Sequence, residues 1–396
     1  MSKKKNKKKV RDAKKVSEQV LQAYKKQEKK FYTKPVPQVP KLLIDKSERD
    51  SNVVLMRSIF EVQSNSYETD KMQEFILSYI KGVDDANISV KQDKFGNIYV
   101  TKGVADTYPC IVAHTDTVHD IIPDSDYVVL NSNEKFFAID LDSMDRTGVG
   151  GDDKCGIYCG LDNLLREDNI KLAFFVDEEV GCMGSSAADM KFFEDVSFVL
   201  QADRKGYADI AKDIMYAPMF GDEFEAKIQP LVDEYKRDYV DGGMTDVLQL
   251  TENGLDVAVA NFSCGYYEPH TSNEYVVIDE LILTSIFFRD IISACYVDGE
   301  KNDFVHDDTS SYGRYGYGGY DSYTYSGYGT AVKSDRFSEL LDEEDQKYIE
   351  GNKSVSDIPL NIHSESCSYC GQPTEWDASL ELSFCYNCDD YDYNGR

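Results

Sequence analysis

Between residues 49 and 300, short apolar runs alternate with longer segments in which apolar positions recur every three or four residues. The longer segments predict amphipathic helices at 67–83 ("YETDKMQEFILSYIKGV"), 154–165 ("KCGIYCGLDNLL"), 247–254 ("VLQLTENG") and 278–297 ("IDELILTSIFFRDIISACYV"). The short runs predict strands at 108–113 ("YPCIVA"), 171–176 ("KLAFFV"), 196–202 ("VSFVLQA") and 256–262 ("DVAVANF"). A hairpin is expected over 88–102 ("ISVKQDKFGNIYVTK"), turning near Phe95 to Asn97. Strands that are apolar on both faces and separated by helices predict an α/β domain, with a mostly parallel central sheet flanked by helices. In such sheets ligands collect at the carboxyl ends of the strands.

The flanks break this pattern and divide the chain into four segments. Residues 1–48 are a basic arm, with 13 Lys and Arg against three acids in the first 30 positions, followed by the linker "KPVPQVPK". Residues 49–300 form the α/β domain. Residues 301–361 hold a Gly/Ser/Tyr tract ("SSYGRYGYGGYDSYTYSGYG"), which cannot pack a core, and a short acidic helix. Residues 362–396 are a compact cysteine module.

Charge narrows the function classes. The chain totals −29, and setting aside the arm's +10 leaves −39 for the remainder, a field that repels nucleic acid. No run of about 18 apolar residues exists to span a membrane, and the lysine-rich start lacks the apolar segment of a secretory signal. The expectation is a cytoplasmic protein with no membrane partner. Ten cysteines agree with this, since six are scattered singly and four fall in a metal-type pattern.

The stretch "AFFVDEEVGCMG" (173–184) raises the chemical question, because an apolar run meets Asp177, Glu178 and Glu179 in succession. Carboxylates that close repel one another unless they are solvated or arranged around a cation. The other strand ends carry similar groups. His114 and Asp116 follow "IVA", Asp203 follows "FVLQA", His270 lies in the loop after "DVAVANF", and "GVGGDDKCG" sets Asp152 and Asp153 at a helix start. Each has an ordinary explanation on its own: an incidental HxD, a helix cap or a solvated turn. Brought to one sheet edge, three carboxylates and two imidazoles can hold two divalent cations.

Six stretches, "VAHTDTV", "GVGGDDKCG", "VDEEVG", "QADR", "DGGMTDVLQL" and "CGYYEPHTSNEYV", occur in this order over roughly residues 50–300. In this they resemble the co-catalytic dizinc exopeptidases, and especially peptidase T and its tripeptidase relatives through "DDK", "GGxTD" and "HTxxEYV". The resemblance implies that His114, Asp152 and Asp203 bind one zinc and that Asp152, Glu179 and His270 bind the other, with Asp152 bridging and manganese or cobalt as alternatives. It implies that Asp116 supports His114, that Glu178 is the general base, and that a cis peptide follows Asp152. Gly242, Gly243, Thr245 and Asp246 would line the substrate side. The implied activity is hydrolysis of short peptides by a water activated between the metals.

The chain also departs from that family. Only 66 residues lie between Asp203 and His270, too few for the lid domain of peptidase T relatives, so a single-domain architecture is expected. The lid's histidine, which stabilises the tetrahedral intermediate, has no counterpart there; His119, His306 and His363 are the histidines left over. Tyr266 or Tyr267, close to His270, would take the donor role, and the latter is assigned to the substrate side. Asp241 stands where peptidase T-like enzymes carry arginine, which points to a free amino terminus on the substrate rather than a carboxylate.

Near the C-terminus, "CSYC" and "CYNC" are two knuckles 14 residues apart, which suits one structural zinc on Cys367, Cys370, Cys385 and Cys388. The acidic "NCDDYDYN" favours a protein partner for this ribbon, and the basic arm is a second docking device. Two other functions stand beside the exopeptidase: a catalytically silent interaction module built on the dizinc fold, and an amidohydrolase of N-acyl amino acids. An intact Glu178 argues against the silent module, which has no use for a base.

Overall fold

The computed structural model describes residues 46–303, apart from Asp84 and Asn133, and three short strands between 375 and 392. Helices α1 (Lys46–Phe60) and α2 (Asp70–Gly82) come first and bury Ile59, Phe60, Ile76 and Ile80. The expected hairpin, β1 (Ile88–Gln92) and β2 (Ile98–Lys102), turns through Gly96, whose φ of +102° suits a residue without a side chain. Strand β3 (Tyr108–His114) is buried along its whole length. A meander of β4 (Tyr127–Ser132), β5 (Lys135–Asp140) and β6 (Asp145–Thr147) leads to helix α3 (Gly151–Arg166). Next come β7 (Ile170–Phe175), the single turn α4 (Met183–Ser186), and β8 (Val196–Arg204). The chain then runs through β9 (Asp209–Ile214), β10 (Ala217–Pro218), α5 (Asp222–Tyr235), β11 (Asp238–Gly242) and α6 (Asp246–Glu252). It ends in β12 (Val259–Ser263), β13 (Tyr266–Tyr267), β14 (Tyr275–Val277) and the long helix α7 (Ile278–Cys295).

The main sheet has the order β1-β2-β7-β3-β8-β12-β9-β10, with β11 beside β9. Its inner four strands, β7, β3, β8 and β12, run parallel. They are buried almost without interruption, as strands covered on both faces must be. Outside this core the pairing turns antiparallel, at β2 and β1 on one edge and at β9 and β10 on the other. The expected parallel character therefore belongs to the centre of the sheet and to β11, which pairs with β9 in parallel. A tight turn can join only antiparallel neighbours, so the β1–β2 and β9–β10 hairpins make the edges. Helix α3 packs on β3, β7 and β8, and α7 packs on α3.

A second sheet, β13-β14-β5-β4 with β6 on β5, was not visible in the hydrophobic pattern. Its strands are short, and Asn131, Ser132 and Asp140 interrupt the apolar alternation of β4 and β5. It brackets the loop of His270 between β13 and β14 and pins β14 to β5 through Val276 and Phe136. The residues between Asp203 and His270 build β9 to β12 and α5 and α6, so no separate lid is present among the described residues.

Strands β15 (Glu375–Asp377), β16 (Leu382–Cys385) and β17 (Asp390–Asp392) form an antiparallel sheet of three. Cys385 closes β16, while Cys367, Cys370 and Cys388 lie outside the described residues, as do the Gly/Ser/Tyr tract and residues 1–45 of the arm and linker, whose last three positions, 46–48, belong to α1. Among the described residues no helix is long and apolar enough to cross a membrane.

Candidate metal centre

Parallel pairing sets the ends of β7, β3 and β8 side by side. His114 lies opposite Phe175, and Asp203 stands two residues beyond Gln201, the partner of Val112. Glu178 and Glu179 follow in the loop after β7. Asp152 arrives from the first turn of α3, where Asp152 (φ −85°, ψ 104°) and Asp153 (φ −116°, ψ 37°) are not yet helical and the peptide between them is cis. Asp153 Oδ1 accepts the Gly156 N–H at 2.8 Å, capping the helix, which leaves Asp152 free to face the strand ends.

The central feature is the Asp152 carboxylate, which lies between two imidazoles. Its Oδ1 is 3.1 Å from His114 Nε2, and its Oδ2 is 3.3 Å from His270 Nε2. Each imidazole has a further acid of its own: Asp203 Oδ1 is 3.7 Å from His114 Nε2, and Glu179 Oε2 is 3.2 Å from His270 Nε2. Glu178 Oε2 stands 3.9 Å from His114 Nε2, and the Cys182 thiol is 3.5 Å from its other oxygen. The Tyr266 hydroxyl reaches both Asp152 Oδ2 (3.2 Å) and Asp203 Oδ1 (3.4 Å).

Asp116 is fully buried and ties the loops together. Its carboxylate accepts the backbone N–H groups of Glu178 (3.0 Å) and Glu179 (3.3 Å) and the Ser66 hydroxyl (2.7 Å). His114 Nδ1 lies 3.0 Å from the Asp116 carbonyl and 3.4 Å from its carboxylate, so one residue orients both the imidazole and the acidic loop.

So many acids in a buried site cannot all be ionised without a cation. Burial, and then the charge of Asp152, push Asp203 up to about 7. Burial, reinforced by Asp203, Asp246 and Glu179 against the opposing effect of His114, pushes Glu178 up to about 9. Hydrogen bonds to Asp152 and Glu179 raise His270 to about 11. For His114, burial acts downward, but Asp116, Asp152 and Asp203 outweigh it and hold it well above the ordinary imidazole value. A divalent cation reverses this balance by stabilising every carboxylate that faces it.

The donor set fits such a cation. Ligand atoms of His114, Asp152 and Glu179 converge within 4.8 Å of one another, and Glu179 Oε1 is buried with no hydrogen-bond partner among the described residues. Atoms of His114, Asp153 and Asp203 converge equally closely, yet both Asp153 oxygens already accept backbone N–H groups, from Gly156 and His114. Asp153 is therefore better read as the helix cap and Asp152 as the shared acid. Carboxylate and imidazole donors of this kind suit zinc, manganese or cobalt.

Around this centre, the Thr245 hydroxyl donates to Asp203 Oδ2 at 2.8 Å. Asp246 is fully buried and accepts the Ser185 hydroxyl at 2.5 Å. Gly242 ends β11, and Gly243 has open space where a side chain would be. The Tyr267 hydroxyl donates to Glu280 at 2.8 Å, so of the two adjacent tyrosines it is Tyr266 whose hydroxyl reaches the acids.

With this geometry in view, the main chain can be set beside known structures. It superposes on an aminopeptidase, PepT, from Bacillus cereus with a TM-score of 0.52 at 14% identity, covering 62% of this chain and 98% of that one. A tripeptidase from Staphylococcus aureus gives 0.47 at 12% identity (62% and 97% covered), and an aminopeptidase from the archaeon Desulfurococcus kamchatkensis gives 0.46 at 16% (63% and 99%). The chain shares the fold of the Bacillus aminopeptidase. No protein-family model matches it, and no curated sequence does.

One buried acid escaped the reading of single residues. Glu274 accepts the N–H groups of Gly150 (2.7 Å) and Asp152 (3.2 Å), fixing the loop that presents Asp152. Its only sequence signal is the glutamate of "HTSNEYV", four residues after His270. Ser66 and Ser185, which hold Asp116 and Asp246, carry no signal at all.

Proposed function

We propose that this chain is a two-metal exopeptidase that removes residues from short peptides with a free amino terminus. The supporting observation is the Asp152 carboxylate between His114 and His270, with Glu178 alongside. His114, Asp152 and Asp203 would hold one divalent cation, and Asp152, Glu179 and His270 the other. When bound, such cations polarise a carbonyl and acidify water at neutral pH. Glu178, whose burial favours holding a proton, takes one from the attacking water and delivers it to the leaving amine. Tyr266, whose hydroxyl lies against Asp152 and Asp203, would donate a hydrogen bond near the reacting carbonyl, and Gly242, Gly243, Thr245 and Asp246 would border the peptide. The cysteines Cys367, Cys370, Cys385 and Cys388 are assigned a structural zinc, and with the basic arm they would dock a protein partner in the cytoplasm.

The test is hydrolysis of a panel of di- and tripeptides and N-acyl amino acids by metal-reconstituted protein, beside Glu178→Ala, with bound metal quantified in both. Release of N-terminal residues that vanishes in the variant while metal is retained supports the reading. Cleavage confined to N-acyl amino acids would replace it with the amidohydrolase, and metal binding without any cleavage would leave an interaction module.

A further inference from the structure

One histidine lies outside the ligand cluster but in the adjoining cleft. His119 lines a cleft of about 330 Å3 whose walls also include His270, Gly148 and Thr271. Its ring is held on two sides. Nε2 is 2.7 Å from Glu274 Oε2, on a carboxylate with no exposure at all. At Gly148, a Cβ would fall 2.0 Å from the ring, so a side chain there would displace the imidazole. The backbone is fixed too, because the His119 carbonyl accepts the Asn65 amide at 2.9 Å. With Nε2 engaged by Glu274, Nδ1 takes no hydrogen bond from any described residue.

Immobilising this side chain costs rotamer entropy, and the 16% of it that stays exposed lies at the wall of the cleft. A polar group fixed in advance at the wall of a cleft is how proteins reduce the ordering cost of ligand binding. Glu274 also receives the Asp152 N–H, so one buried acid sets both the bridging carboxylate and the imidazole facing the cleft. The cleft is at the small end of the range for ligand sites, which suits a di- or tripeptide.

We propose that His119 is a substrate-contacting residue, which hydrogen-bonds the backbone of a short peptide through Nδ1, with Glu274 and Gly148 as its positioning residues. The proposal rests on the peptidase reading.

The experiment compares metal-loaded wild type, His119→Ala and Gly148→Ala by steady-state kinetics on the best tripeptide. It adds calorimetric binding of a tripeptide analogue with a reduced peptide bond, and metal content. Both variants are expected to keep wild-type metal, to bind the analogue about tenfold more weakly and to show a KM raised by a similar factor. Unchanged binding and KM would overturn the proposal. So would loss of metal in step with loss of binding, since His119 would then only brace Glu274 and the Asp152 loop. A wild type that binds the analogue through His119 but cleaves nothing would remove the peptidase reading and leave His119 as a ligand contact. A wild type that neither cleaves nor binds would remove both.

Discussion

Asp152 faces two imidazoles with its two oxygens while Asp203, Glu179 and Glu178 stand nearby, a concentration of acid that makes the cation-free protein sensitive to pH. Asp203, raised to about 7, and Glu178, raised to about 9, bind protons in the folded state that the unfolded chain has already released. Where the folded state holds more protons, stability falls as pH rises. His270 acts in the same direction, since its stabilisation is complete below the unfolded imidazole value and is lost as pH climbs towards about 11. Chelated protein should therefore lose thermal stability between about pH 5 and about pH 9, and saturating divalent cation should abolish that loss. Melting followed by circular dichroism across this range decides it; a chelated protein that grows more stable with pH would contradict the site. The acids and the imidazole that the fold brings together were legible as residue types, because His114, Glu179 and Asp203 follow apolar runs and Asp152 opens a helix. Glu274 was not legible as an anchor, because its role is defined by amide groups more than a hundred positions away.

At the scale of elements, the start of α3 shows how two adjacent acids divide between capping the helix and facing the strand ends. Asp153 uses its carboxylate on Gly156, and a Cβ at Gly156 would come within 2.4 Å of that carboxylate. Glycine to alanine inside a helix ordinarily stabilises by about 1 kcal/mol. Here the sign should reverse. Gly156→Ala is expected to destabilise by about 1–2 kcal/mol through loss of the cap and to weaken metal binding through the adjacent Asp152. Urea denaturation and metal titration of the variant measure both effects, and a variant more stable than wild type would show that the cap is dispensable. The β1–β2 hairpin, the inner strands and helices α2, α3, α6 and α7 were legible from periodicity. Strands β4 to β6 were not, since short strands with polar interruptions produce no clear period.

For the whole molecule, the metal count separates the body from the cysteine module. The 396-residue chain should hold about three divalent ions, and Cys370→Ser should hold about two while still hydrolysing peptides. Elemental analysis beside the peptide assay tests this; three ions retained in the variant would remove the ribbon's zinc. The sequence by itself determined the α/β class, the order of strands and helices along the core, and the residue types at the strand ends, because burial on both faces and the rarity of charge beside apolar runs are local properties. Only the tertiary structure decided which strands are neighbours, that the sheet adds antiparallel hairpins at β1–β2 and β9–β10, that a second sheet brackets the His270 loop, and that Glu274 joins His119 to the backbone of Asp152. These are matters of pairing and register between segments far apart in the chain, and no local pattern of apolar and polar residues encodes them.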